Sequence, residues 1–98
     1  MTSPVLTGRH ALELGLVTRV VADDQVDAAG RELGRELASG PTVTFGHIKA
    51  NFNLAEHAGL AECLDNEAWR HITCMTTADH REAATAFVEK RAPRFRGK

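Results

Sequence analysis

Apolar residues recur at helical spacing in successive stretches of this chain, and each stretch is closed by residues that cannot continue a helix. That punctuation constrains the fold more than any other feature. From Gln25 to Ser39, the residues Val26, Ala29, Leu33 and Leu37 fall on one stripe of a 3.6-residue period. Gly40-Pro41 ends this helix, because glycine takes the left-handed cap and proline has no N–H to continue the ladder. A second helix is predicted from Pro41 to about Glu56, with Val43, Phe45, Ile48, Phe52 and Ala55 as its apolar set. A break near Gly59 precedes a longer helix through Leu60, Leu64, Ala68, Ile72 and Met75, with Trp69 to one side. Asp79, with Glu82 three residues later, predicts a capping box that opens a last helix. The core face of that helix is expected at Ala83, Ala84, Phe87 and Val88, and Pro93 is expected to stop it and throw the tail outward.

Ahead of the helices, Val17 to Val21 is β-branched and weakly alternating, which predicts one short strand. Asp23-Asp24 is placed to cap the helix after it. Gly30 and Gly34 lie inside that helix, where glycine is unfavourable, and their four-residue spacing predicts close approach by another element. The fold class expected is mainly α, one helical segment over 1–98 with a single short strand.

Ninety-eight residues make one domain at most, and a chain this short buries only about 60–65% of its unfolded surface. Four helices, each with an apolar stripe, leave surface that packing within the chain need not cover, and such surface marks a partner or an oligomer interface. A net charge of −1 argues against a general nucleic-acid binder. No apolar run approaches the ~20 residues of a membrane span, and Met1-Thr2-Ser3-Pro4 is no signal peptide. Cys63 and Cys74 are eleven residues apart in one predicted helix, about 16 Å at 1.5 Å per residue. That is too far for a disulfide, so they read as reduced thiols of a cytoplasmic protein.

The chemistry-bearing residues offer little that catalysis could use. His57, His71 and His80 are not at i,i+4 spacing, and no Cys-x-x-Cys or His-Glu-x-x-His occurs, so no metal site is expected. No glycine-rich phosphate loop comes after a strand. Ser3 and Ser39 read as a terminus and a helix cap rather than nucleophiles. Glu62, Asp65 and Glu67 fall on or near the polar face of one helix and read as solvated surface rather than as an acid–base pair. No catalytic residue is assigned. The tail is different: five basic residues and one acid lie between Glu89 and Lys98, after an aromatic at Phe87. Phe87 and Lys90 are three apart and share a helix face, so a ring beside a cation could stack an adenine and neutralise phosphates. The competing reading is that Phe87 is plain core and the tail a solvated end.

Several segments together resemble the enoyl-CoA hydratase/isomerase (crotonase) family. Val5-Leu6-Thr7-Gly8-Arg9, then Gly15-Leu16-Val17-Thr18-Arg19-Val20-Val21, look like the family's "LTGR" turn and "GLVxxVV" strand. Ala38-Ser39-Gly40-Pro41 with Lys49 is similar to its "GP…K" stretch. Glu67 in the long helix, and Ala86-Phe87-Val88-Glu89-Lys90-Arg91 with Pro93, Phe95 and Gly97, resemble its C-terminal ending, and all these parts come in the family's order. Only His10 to Leu14 departs, being shorter than the usual helix there. The resemblance implies the C-terminal helical part of an enzyme well over twice this length, acting in fatty acid metabolism as a lyase or isomerase on an acyl-CoA thioester. The family's ββα spiral core, its oxyanion hole and its acid/base carboxylates all precede the "LTGR" turn. The helical part packs subunits into trimers, often paired as hexamers, and closes over coenzyme A. By that resemblance Phe87 and Lys90 are the coenzyme A-binding residues, and the partners are acyl-CoA and either further copies of the chain or an N-terminal half. The alternative is a stand-alone, non-catalytic helical self-association module.

Overall fold

The computed structural model describes residues 3–98, and the chain divides into two compact units over residues 1–33 and 34–98. In the first unit, helix α1 (Gly8–Glu13) is a turn and a half. The Thr7 hydroxyl caps it by accepting from the His10 N–H at 3.2 Å. Its end closes through the Leu16 N–H on the Ala11 carbonyl at 2.9 Å, with Gly15 in the left-handed region at φ 71°. The shortened segment noted in the sequence therefore still forms a complete, doubly capped helix.

The stretch expected as a strand, 17–21, pairs with nothing. A strand exists by virtue of a ladder, and among the described residues no second extended segment offers one. Asp23 and Asp24 do not cap α2 (Val26–Ala38) either. They form a single 3-10 turn, Asp23–Gln25, that runs straight into it. There they place two carboxylates at the positive end of the helix dipole. Leu16, Val17, Val20, Val26 and Leu33 line an open, largely apolar hollow of about 670 Å³ within this unit. Arg19 and Glu32 form an exposed ion pair at 3.8 Å, too wet to contribute much. Beyond their own helix backbone, no atom of the described residues lies within 4 Å of where a side chain would begin at Gly30 or Gly34, so the close approach expected there is not seen among them.

In the second unit, α3 (Thr42–Ala55) and α4 (Leu60–Met75) pack as a hairpin. The two helices run antiparallel: the His47 ring meets Trp69 edge-on at 6.4 Å, while at the other end Ala55 and Cys63 line one hollow of about 300 Å³. Both cysteines are free and half-buried. Arg70 reaches His47 Nδ1 at 3.5 Å with one nitrogen, while its Nε and the Asn51 Oδ1 are buried with no partner among the described residues. Helix α5 (Ala78–Glu89) begins after a two-residue turn.

Two expectations for α5 are corrected. The cap is Thr77, whose hydroxyl accepts from the His80 N–H at 3.0 Å and donates to the Cys74 carbonyl at 2.7 Å. Asp79 lies two residues too far in to cap, and its carboxylate is used elsewhere. The inward face is also rotated: Asp79 and Ala86 are 3% and 1% exposed, whereas Phe87 and Val88 are 85% and 79% exposed. Asp79, Glu82, Ala83 and Ala86 form the i, i+3, i+4, i+7 stripe, so the two large apolar residues face solvent.

Ala86 is the only buried apolar residue among those described. The accessible surface is 8254 Å² for 10.7 kDa. A compact monomer of that mass exposes about 5,500 Å², and even two separate compact bodies of these sizes expose only about 6,600 Å². Large apolar residues are part of that exposed surface: Phe52, Leu60, Trp69, Ile72, Phe87 and Val88 are all well exposed. The stripes that define the helices in the sequence are real, and most of them face outward.

Candidate functional site

The tail folds back instead of leaving. Asp79, buried in the first turn of α5, accepts the Arg96 N–H at 2.7 Å on one carboxylate oxygen and the Gly97 N–H at 2.8 Å on the other. Its own N–H donates to the Lys98 carbonyl at 3.0 Å. Gly97 is required twice over. Its φ is 70°, and a side chain there would begin 2.5 Å from the Thr42 hydroxyl at the start of α3. Helix α5 ends at Glu89 with a left-handed cap at Lys90, three residues before the Pro93 expected to stop it, and the Arg96 and Gly97 backbone donors beyond are recaptured by the carboxylate in α5's first turn.

One turn further along, Glu82 binds Arg91 in a fork. Oε1 accepts from Nη1 at 2.6 Å and Oε2 from Nη2 at 3.1 Å. Oε1 also accepts the Arg94 N–H at 2.8 Å, and Arg91 Nε donates to Glu89 at 2.6 Å. The Arg91 hydrogen bonds, then that from the Arg94 backbone, pull the Glu82 carboxyl from the ordinary 4.5 down to about 2. The Arg91 guanidinium is pushed up in turn, first by Glu82 and then by Glu89. A carboxylate held this firmly ionised and this fully occupied is a structural anion, not a proton carrier. Asp79, Glu82, Arg91, Arg94 and Arg96 wall an open cleft of about 760 Å³.

Between α5 and this network sits Lys90, at φ 55° and ψ 38° the only described non-glycine residue in the left-handed region. The Lys90 N–H bonds the Phe87 carbonyl at 3.3 Å and the Arg91 N–H bonds the Ala86 carbonyl at 3.0 Å, a helix end of the kind glycine usually occupies. Phe87 and Lys90 are both exposed, but they do not share a helix face as expected: Phe87 lies within α5, whereas Lys90 sits just beyond its end in the left-handed region. The structure removes Arg91 from the available cations, because Nε, Nη1 and Nη2 all have carboxylate partners. The carboxylates Glu62, Asp65 and Glu67 are exposed on α4 and take no part in the network. The Asp79 clamp was missed in the sequence, although acids three apart opposite a basic tail carried the signal.

The family model described as Enoyl-CoA hydratase/isomerase matches residues 1–98. The chain belongs to this family. Among its relatives, the 1,2-epoxyphenylacetyl-CoA isomerase of Escherichia coli is 38% identical over 93 residues, covering 95% of this chain and 36% of the relative. The short-chain-enoyl-CoA hydratase of Clostridium acetobutylicum is 28% identical over 90 residues, covering 92% and 34%. The crystal structure of an enoyl-CoA hydratase from Bacillus anthracis superposes with a TM-score of 0.82 at 26% identity, over 93% of this chain and 35% of that one. The fold is therefore a helical segment of the crotonase-like fold, and the chain spans little more than a third of the length of these enoyl-CoA hydratase/isomerase relatives.

Proposed function

We propose that this chain is the C-terminal oligomerisation and coenzyme A-capping part of an enoyl-CoA hydratase/isomerase-like enzyme, acting on acyl-CoA and inactive by itself. The observation that carries the reading is a chain matched along its whole length by the family, spanning about a third of its relatives, with one buried apolar residue described. A part of that kind is completed by other surfaces: further copies in a trimer or hexamer, and the spiral core that the resemblance places before the "LTGR" turn. The parent reaction is addition of water to, or a double-bond shift in, an acyl-CoA thioester, with the enolate held by backbone N–H groups of that core.

Phe87 and Lys90 are the coenzyme A-binding residues in this reading. A ring 85% exposed at a helix end, three residues before a lysine, is a costly arrangement in water and a useful one against an adenine and its phosphates. The carboxylates here do no proton transfer. The direct test is a crotonyl-CoA hydration assay on the 98-residue chain beside its Glu67→Gln and Glu82→Gln variants. No turnover in any of the three is expected. Turnover by the chain that either variant abolishes would locate a carboxylate site here and overturn the reading.

A further inference from the structure

Lys90 holds a backbone conformation that lysine disfavours, and the residues on both sides of it are tied down by side chains rather than by solvent. Before it, Glu82 and Glu89 project from α5. After it, Arg91 grips both carboxylates through all three of its guanidinium nitrogens, and the Arg94 N–H takes a further position on Glu82. The Arg91 N–H closes the same turn onto Ala86, the one apolar residue fully anchored in the unit. The chain is therefore pinned at the residue directly after Lys90 and again at Arg94, while Lys90 itself is exposed and Phe87 stands three residues earlier on open surface.

Resting on the reading of Phe87 and Lys90 as the coenzyme A contacts, we propose that Glu82 and Arg91 are positioning residues for that ligand. By tying the residue after Lys90 to the wall of α5, they hold Lys90 left-handed and present its ammonium group and the Phe87 ring to one bound nucleotide. Arg91 acts through Lys90: its guanidinium is held by the Glu82 and Glu89 carboxylates, which already offset its charge.

A double-mutant cycle separates this role from simple support of the fold, because a residue that works through Lys90 loses its effect once Lys90 is gone. Coenzyme A is titrated calorimetrically into the 98-residue chain and its Lys90→Ala, Glu82→Gln and doubly substituted forms. Lys90→Ala is expected to weaken binding about tenfold, Glu82→Gln to weaken it comparably, and the double variant to bind no more weakly than Lys90→Ala alone. If Glu82→Gln leaves affinity unchanged while Lys90→Ala lowers it, or if the two losses multiply, the positioning role is wrong and the binding reading stands. If the wild-type chain does not bind, or Lys90→Ala binds equally well, the underlying reading falls and takes the proposal with it. Where Glu82→Gln does not fold, Glu82→Asp keeps the charge, shortens the reach and enters the same cycle.

Discussion

Lys90 is the one described non-glycine residue in the left-handed region, at φ 55°. A non-glycine residue in the left-handed region costs about 1 kcal/mol relative to glycine, and the Glu82–Arg91 grip offsets that cost. Lys90→Gly is therefore expected to raise the melting temperature by several degrees while lowering coenzyme A affinity. Thermal unfolding and ligand titration on the same sample check both halves. A variant that is destabilised would mean the left-handed cap carries no strain. The three-residue spacing of Phe87 and Lys90 suggests a shared helix face, whereas the structure puts Phe87 within α5 and Lys90 beyond its end, both exposed. The sequence could not show the left-handed turn, because nothing in Glu89-Lys90-Arg91 resembles a glycine cap. The turn is imposed by hydrogen bonds to the Glu82 side chain from Arg91 and Arg94, nine and twelve residues further along.

At the scale of the element, α5 carries two carboxylates on its buried stripe, and both serve the tail rather than the helix. Acids three apart in a first turn read as a capping box because local spacing is all a sequence offers. Thr77, one residue before the helix, takes the cap and frees both acids. The same displacement explains the misjudged core face: once Asp79 points inward, Ala86 comes in with it at i+7 and Phe87 and Val88 are turned out. The helix boundaries were legible because periodicity and breakers are local, whereas the strand at 17–21 was not, since only a partner makes a strand.

The Glu82 clamp predicts a pH dependence whose sign is set by its lowered carboxyl. A group held at about 2 when folded and near 4.5 when unfolded contributes fully above that upper value. Its contribution is lost as the pH falls from about 4.5 toward about 2. Melting curves over that range should fall more steeply for wild type than for Glu82→Gln, which lacks the titrating group. Parallel curves would show that Arg91 and the Arg94 N–H give the carboxylate nothing.

For the whole molecule, the decisive quantity is surface. An accessible area of 8254 Å², against about 6,600 Å² for two separate compact bodies of these sizes, goes with large apolar side chains left open to water. The sequence anticipated uncovered stripes on four helices, but not that a single buried alanine would be the described apolar core, because it cannot say which stripes find partners within one chain. On α4, Leu60, Leu64 and Ile72 stay exposed along the side that the hairpin with α3 does not cover. In the proposed function the chain is completed by assembly. Sedimentation equilibrium at micromolar concentration, run on the wild-type chain beside Ile72→Glu, tests it most directly. A trimer is expected for wild type, dissociated by a charge on the α4 stripe; a cooperatively folded monomer unaffected by Ile72→Glu would show that assembly is not needed.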